Sequence, residues 1–228
     1  MKNVGRARKA GFKLILISLI GVLIVLVLGL FTTFIGTLAV AVTPVLVVLW
    51  AVFSLFTIYF FRDPTSRVPV GARLVLSPAH AKVDVVDSCT ETEFMGGPCQ
   101  RISMFLSVLD VHVQNAPAGG KVSLMKYTAG QFLSAIRTES ALHNENVLLG
   151  FELNDPPGKK VGVRLIAGVL ARRIVPWVVE GQELVRGERI SLIQFGSRAE
   201  VYLPEEAKIR VKVGDKVVGG ETVLAVFE

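Results

Sequence analysis

The sequence predicts a mostly β protein of the α+β class, in which an N-terminal hairpin of membrane helices precedes a β domain. Three observations support this fold class: a long uncharged run near the N-terminus, short runs rich in Val, Ile and Leu after it, and an internal repeat near the C-terminus. In this prediction, residues 1–61 form a basic arm and a two-helix membrane anchor, and residues 62–228 form the β domain.

The uncharged run extends from Leu14 to Phe61, which is 48 consecutive residues without Asp, Glu, Lys, Arg or His. A bilayer core is crossed by about 20 helical residues, whereas one helix of this whole run would extend about 72 Å. We therefore expect two helices, at roughly 12–31 and 38–61, joined by a short uncharged turn, with Thr43-Pro44 as a later helix-start signal. A cleaved signal peptide or a buried core hairpin would not need so long an uncharged run.

Nearly all of the formal net charge of +6 belongs to the arm before the first helix. Residues 1–61 contain five basic and no acidic residues, and the remainder of the chain is nearly neutral. This distribution argues against a nucleic-acid-binding domain and favours a basic collar at an anionic membrane surface. Basic residues lie at both outer ends of the hairpin and none lies in its turn, so the positive-inside rule predicts a β domain on the cytoplasmic side.

Cysteine and histidine are sparse in this chain. The two cysteines, Cys89 and Cys99, are expected to be free thiols because the predicted compartment is cytoplasmic. The three histidines, His80, His112 and His143, do not have the spacing of metal ligands, so we predict no metal site.

Short β-like segments separated by Gly, Pro and Asn follow the hydrophobic run. We expect strands within residues 73–86, 99–117, 145–153 and 161–175, because these segments are rich in Val, Ile and Leu. Residues 129–137 predict at most one short helix. Neither a Walker loop nor a GxGxxG motif is present, which argues against a nucleotide-binding βαβ unit.

An internal repeat relates residues 178–190, VVEGQELVRGERI, to residues 211–223, VKVGDKVVGGETV, without gaps and at a spacing of 33. Each copy is predicted to contain strands around a glycine turn, and the pattern resembles the two halves of the barrel-sandwich hybrids that carry biotin or lipoate. A carrier or adaptor module is therefore one alternative function. That function needs a modifiable lysine on the turn between the repeats, whereas this region contains Ser197.

The segment SLIQFGSRAEVYLP, residues 191–204, alternates like a strand but is interrupted by Gly196-Ser197-Arg198. A serine after glycine on a strained strand can attack the preceding carbonyl and convert the amide to an ester. Elimination and hydrolysis then leave a pyruvoyl group at the new chain end. Glycine suits position 196 because it tolerates unusual dihedral angles and leaves its carbonyl open. A pyruvoyl carbonyl condenses with a substrate amine and withdraws electrons from its Cα, which favours amino-acid decarboxylation.

Several motifs in order carry a family resemblance: YFFRDPTSRVP, LSPAHAKV, RISMFLSVLDVHVQNAPAGGKV, YTAGQFLSA followed by NEN, LIAGVLARRIV and FGSRAEVYLP. Together they resemble the short-form phosphatidylserine decarboxylases, a pyruvoyl-dependent family that includes archaetidylserine decarboxylases. The resemblance implies a membrane enzyme that converts phosphatidylserine, or a related phosphoserine lipid, to the ethanolamine lipid and CO2. It also implies self-cleavage between Gly196 and Ser197, which gives a β subunit of residues 1–196 and a pyruvoyl-capped α subunit of residues 197–228. These fragments form a heterodimer, with higher oligomers also open. The sequence does not identify the lipid tails of the substrate, so lipids with ester-linked and with ether-linked chains both fit.

The resemblance also assigns roles to site residues. His112 matches the family histidine of the LDVH stretch, and it is expected to act as the base for Ser197 or to protonate the decarboxylated Cα, because imidazole exchanges protons near neutral pH. His80 stands where the family motif SPADG has its aspartate, and Ala81 stands where that motif has its glycine. His80 is therefore a candidate surrogate base.

A catalytically inactive, membrane-tethered family member is the second alternative, because this aspartate is missing. A long-chain member would carry a second histidine at position 115, where this chain has Asn115. Candidate contacts to the lipid headgroup are Arg172, Arg173 and Arg198, since arginine pairs with phosphate and carboxylate in a bidentate manner.

Overall fold

The computed structural model describes residues 5–30, 33–135, 143–169, 173–194 and 196–228. Two helices come first, α1 (Arg6–Leu30) and α2 (Thr33–Phe60), and fourteen strands follow within the described residues. The strands are β1 (Leu74–Leu76), β2 (Ala81–Glu91), β3 (Gly97–Leu106), β4 (Val113–Asn115), β5 (Gly120–Thr128), β6 (Asn146–Asn154), β7 (Pro157–Ala167), β8 (Ile174–Pro176), β9 (Glu183–Leu184), β10 (Arg189–Ile193), β11 (Ser197–Leu203), β12 (Lys208–Ile209), β13 (Lys216–Val217) and β14 (Val223–Val226). The predicted fold class, two apolar helices followed by a mostly β domain, is confirmed.

The helical unit comprises residues 5–63. Within it, residues 6–29 of α1 and 40–60 of α2 are each long and apolar enough to cross a membrane. The two helices contact each other through Trp50, whose indole N–H donates to Ser18 Oγ at 2.8 Å. The predicted start of the second helix was wrong, because α2 begins at Thr33 and continues through Pro44. Proline is tolerated inside apolar helices of this kind.

The β unit comprises residues 64–228 and contains three antiparallel sheets. The large sheet has eight strands in the order β13-β2-β3-β11-β7-β6-β5-β9, and the two small sheets have the orders β1-β14-β12 and β4-β10-β8. Side chains on one face of β11, from Ala199, Val201 and Leu203, pack into the main hydrophobic core. Arg198, Glu200 and Tyr202 alternate with them and lie on the opposite face.

The strand orders reveal an approximate two-fold relation between the halves of the β unit. It exchanges β11 with β7, β3 with β6, β2 with β5 and β13 with β9, and it also exchanges the small sheets. The sequence repeat is one part of this relation. The Gly181 N–H donates to the Val122 carbonyl at 2.7 Å, and the Gly214 N–H donates in the same way to Val83 at 2.9 Å. The glycines that align between the two copies have positive φ angles: Gly181, Gly187, Gly214 and Gly220.

The same relation explains the interruption in the segment 191–204. Across the sheet, the register series Val85–Ser103–Glu200 corresponds to Leu124–Gly150–Gly162. Gly196 therefore occupies the place that Gly158 has in the tight β6–β7 turn, and the φ angles of these two glycines are +72° and +80°. In one half, a tight turn joins β6 directly to β7. In the other half, the corresponding strands β3 and β11 are separated in the chain by β4–β10, which form the half that contains this turn. The interruption separates β10 from β11.

The short helix considered for residues 129–137 is not present in 129–135, and residues 136 and 137 lie outside the described part of the chain. Asn144 accounts for the difference, because its side chain replaces backbone hydrogen bonds. Asn144 Oδ1 accepts from the Leu133 N–H, and its Nδ2 donates to the carbonyls of Leu133 and Ala167 at 2.8 and 2.7 Å. Such side-chain bonds compete with helix formation.

The two cysteines form a cross-strand pair on β2 and β3, and both are free thiols. Their sulfur atoms lie 3.6 Å apart. Burial and the neighbouring Cys99 raise the pKa of the Cys89 thiol to about 12, so both sulfurs stay protonated at neutral pH.

Candidate active site

Gly196 and Ser197 lie at one end of the strands of the large sheet, where the central strand β11 begins between β3 and β7. Ser197 pairs with Leu106 on one side and with Ala167 on the other. Its hydroxyl is fully buried and has no hydrogen-bond partner among the described residues. An unpaired buried polar group costs about 1–3 kcal/mol, and such groups in native proteins frequently have a chemical role. The left-handed φ of Gly196 is a conformation that a residue with a side chain rarely adopts.

His112 is buried and lies directly against this peptide. Its Nε2 accepts a hydrogen bond from the Gly196 N–H at 3.2 Å. Its Nδ1 lies 2.9 Å from the Asp110 carbonyl oxygen, which can only accept. The proton of the neutral ring is therefore on Nδ1, and Nε2 presents its lone pair toward the Gly196–Ser197 segment. The structure thus brings together three sequence-predicted site residues, Gly196, Ser197 and His112.

The Asp110 backbone carbonyl orients the His112 ring through Nδ1. The Asp110 carboxylate accepts from the Ser107 N–H at 2.8 Å and closes the turn that precedes the histidine. On the other side, the His112 carbonyl accepts from Gln114 Nε2 at 2.7 Å, and Ser191 donates to Gln114 Oε1 at 2.6 Å. Sequence reasoning missed Gln114 and Ser191, because nothing in the linear pattern connects residues 77 positions apart.

Gly168 is a further site residue that sequence reasoning missed. It follows β7 and lies against the carbonyl of Gly196. A Cβ atom at position 168 would lie 2.6 Å from the Gly196 carbonyl oxygen and 3.1 Å from the Ala135 Cβ. Only glycine therefore permits this close approach to the candidate scissile carbonyl. The motif LIAGVLARRIV contained this glycine, but its contact depends on the pairing of β7 with β11.

Gly168→Ala is expected to displace the Gly196 carbonyl and to slow chain cleavage on the order of 10²-fold, because small misplacements of reacting groups have effects of this size. The measurement is the fraction of cut chain over time on a denaturing gel. Gly97→Ala is the matched control, since Gly97 lies at the start of β3 and its Cβ would meet open space. Cleavage of Gly168→Ala at the wild-type rate would contradict the close approach.

His80 lies just before β2, at the same end of the strands as Ser197 but two strands away. It is partly exposed. Its ring lies beside Gly219, because a Cβ at that glycine would be 3.1 Å from His80 Cδ2 and 3.0 Å from Asn115 Oδ1. The structure therefore groups His80 and Asn115 near one glycine of the second repeat copy.

Arg198 points away from the core face and is fully buried. Its five N–H donors are occupied by Asp84, Ser103 and the Ala135 carbonyl. This arrangement favours an internal role for Arg198 over the expected contact with a lipid headgroup. Arg173 is exposed, and its carbonyl accepts from the Gln194 N–H near β10. Arg172 lies outside the described residues.

The site thus combines a hydroxyl without a partner among the described residues, a glycine peptide in the left-handed conformation and an imidazole whose Nε2 contacts that peptide. These are the components of nucleophilic attack assisted by a general base. Within the described residues, no group of three or more His, Cys, Asp or Glu side chains could hold a metal ion.

Comparison with known proteins identifies the family. The sequence profile of the family described as phosphatidylserine decarboxylase matches residues 53–225. The phosphatidylserine decarboxylase proenzyme of Syntrophus aciditrophicus is 43% identical over 174 residues, which cover 76% of this chain and 81% of that protein. The proenzyme of Symbiobacterium thermophilum is 40% identical over 84% of this chain and 91% of its own length, and that of Gluconobacter oxydans is 46% identical over 76% and 77%. These matches confirm the resemblance drawn from the motifs: the chain belongs to the phosphatidylserine decarboxylase family, a family of decarboxylases.

Proposed function

We propose that this protein is a membrane-anchored decarboxylase that converts phosphatidylserine, or a closely related phosphoserine lipid, to the ethanolamine lipid and CO2. In this proposal a pyruvoyl group made from Ser197 carries the reaction. The observation that supports it most strongly is the buried Ser197 hydroxyl, which has no partner in the described part of the chain and lies next to the left-handed Gly196, with His112 Nε2 bonded to the Gly196 N–H. The names of the relatives as proenzymes also agree with a chain that processes itself.

Self-cleavage begins when Ser197 Oγ attacks the Gly196 carbonyl carbon and His112 Nε2 accepts the hydroxyl proton. The amide C–N bond breaks, an ester bond forms, and the amine of residue 197 takes up the proton. Loss of the Cα proton then expels the Gly196 carboxylate, and addition of water with release of ammonia leaves a ketone on residue 197. The products are the fragments 1–196 and 197–228, which stay associated through the β3–β11–β7 ladder.

The pyruvoyl group supplies an electron sink for the carboxylate of a bound amino-acid headgroup. The buried Ser197 side chain, whose Oγ has no partner among the described residues, fits this chemistry: its Cα would become the ketone carbon, and Oγ would leave with the Gly196 carboxylate. His112 contacts Gly196, the residue before this position. In its protonated form it can return a proton to the headgroup Cα after CO2 leaves. The Nδ1–H bond to the Asp110 carbonyl keeps the ring in place during both tasks.

Membrane association is proposed from two features. Helices α1 and α2 have the length and composition of membrane spans, and the basic residues in the first turns of α1 suit a cytoplasmic orientation of the β unit. In the β unit, exposed apolar side chains occupy loops at the same end of the strands as Ser197: Leu109, Phe132, Leu133 and Val169. Such a rim would meet the interface of a bilayer while the headgroup reaches the site. Arg172 and Arg173 are the proposed headgroup contacts.

His80 is proposed to support the cleavage as a surrogate for the missing aspartate. We expect His80→Asp to speed cleavage and His80→Ala to slow it on the order of 10²-fold, because a positioned proton acceptor contributes about this much. Time courses of cut chain measure both effects. Cleavage of His80→Ala at the wild-type rate would exclude the residue from the mechanism. If the wild-type chain stays uncut and His80→Asp is cut, the inactive alternative is correct for this protein.

The proposed activity is tested with the purified full-length chain and vesicles that contain phosphatidylserine, by measurement of released CO2 and of the ethanolamine lipid. We expect CO2 release from phosphatidylserine and none from vesicles of phosphatidylglycerol. Free serine at the same concentration is expected to react far more slowly, because the anchor and the apolar rim raise the local concentration of a lipid substrate. Equal reaction with free serine would contradict a lipid-directed enzyme.

A further inference from the structure

The Arg198 guanidinium makes the most extensive set of polar contacts near the site. Nη1 donates to Asp84 Oδ1 at 2.7 Å and to Ser103 Oγ at 2.6 Å, while Nη2 donates to Asp84 Oδ2 at 2.6 Å. Nε and Nη2 also donate to the Ala135 carbonyl at 3.2 and 3.0 Å. Bidentate arginine–carboxylate contacts of this kind fix geometry as well as charge.

All of these partners lie on the other side of the proposed cut. Asp84 is on β2, Ser103 is on β3 and Ala135 precedes β6, so each belongs to the fragment 1–196. Arg198 belongs to the fragment 197–228 and directly follows the residue that would carry the pyruvoyl group. The ion pair therefore links the two fragments one residue from the reactive carbonyl.

Cleavage changes the mechanical situation of β11. In the uncut chain, Ser197 is held by the covalent bond to Gly196 and by ladder bonds to β3 and β7. After cleavage, residue 197 is a chain end, and chain ends fray unless they are held in place. Fraying of this chain end would misplace the reactive carbonyl, which must approach the substrate amine in one orientation.

We propose that the Asp84–Arg198 ion pair holds the newly formed end of β11 in the sheet, and that both residues thereby position the pyruvoyl group for catalysis. This inference rests on the proposed self-cleavage. A second contact supports it, because the Ala135 that Arg198 binds also lies against Gly168, the neighbour of the Gly196 carbonyl. The pair is buried on the arginine side, so loss of either partner leaves a charge with poor compensation.

The test compares Arg198→Lys and Asp84→Asn with wild type, each as the cut enzyme and in the uncut Ser197→Ala chain. The first readout is hydrogen exchange of the peptide 197–203, and the second is turnover per pyruvoyl group, counted with a hydrazine reagent. In the cut enzyme we expect exchange to become at least about tenfold faster and kcat to fall more than KM changes. In the uncut chain we expect little change in exchange. Arg198→Lys keeps the positive charge, serves as the second variant if Asp84→Asn fails to fold, and is expected to show the smaller effect.

Asp87→Asn is the matched control. Asp87 lies on the same strand as Asp84 and makes a bidentate pair with Arg101 on β3, but that pair is partly exposed and distant from the cut. Equal increases of exchange in the cut and uncut chains would show a general structural role and overturn the inference, and so would unchanged exchange in both variants. An uncut wild-type chain would overturn the proposed cleavage and this inference with it.

Discussion

Ser197→Ala is expected to leave one uncut polypeptide and to abolish decarboxylation. Alanine lacks the oxygen that attacks the Gly196 carbonyl, so neither the ester nor the pyruvoyl group can form. The fold should be retained, because the Ser197 hydroxyl has no hydrogen-bond partner among the described residues and its removal relieves an unpaired polar group. A denaturing gel and CO2 release measure the two effects, and thermal unfolding reports the stability.

Ser123→Ala is the matched control for this experiment. Ser123 lies on β5, in the other half of the fold, and its hydroxyl is also buried without a partner in the described residues. We expect Ser123→Ala to be cut and active like wild type. Cleavage of Ser197→Ala into the fragments 1–196 and 197–228 would show that another nucleophile acts, and the proposed chemistry would then be wrong.

His112→Ala is expected to slow cleavage on the order of 10²–10⁴-fold, the usual contribution of a positioned base. The reason is specific to this site: Nε2 accepts from the Gly196 N–H, and the Nδ1–H bond to the Asp110 carbonyl keeps this basic nitrogen directed at the Gly196–Ser197 peptide. Cleavage of the wild-type chain should also slow as the pH falls, because the protonated ring has no lone pair to accept the serine proton.

His143→Ala is the control for the histidine experiment, because His143 is exposed and lies on a turn before β6. We expect it to be cut at the wild-type rate. If His112→Ala is also cut at that rate, with an unchanged dependence on pH, His112 is not the base.

The sequence predicted the architecture well where the signal is local. The 48-residue uncharged run gave the two helices, and the Gly turns of the repeat marked β9 and β13. The start of α2 was missed because the residues between 31 and 38 were predicted to form a turn, whereas the helix already begins at Thr33 and continues through Pro44. The absence of a helix in 129–135 depends on Asn144, whose side chain binds back to Leu133 and to β7.

The site could be predicted only in part. Gly196, Ser197 and His112 were found because each lies in a recognisable motif. Gly168, and the pairing of Asp84 with Arg198, depend on strand neighbours that are distant in sequence, so no local pattern identifies them. The two-fold relation between the halves of the β unit is visible in the sequence over only 13 residues. Elsewhere it is preserved in backbone hydrogen bonds and glycine conformation rather than in side-chain identity.

The most direct test of the central claim is the intact mass of the purified full-length protein. Self-cleavage predicts two species, residues 1–196 with a free C-terminal carboxylate and residues 197–228 with a pyruvoyl end, lighter than a serine-ended peptide by one ammonia. The shorter fragment should also resist Edman degradation until its ketone is converted to an amine. A single species with the mass of the uncut 228-residue chain after long incubation, or a fragment that begins with an intact serine, would contradict the account.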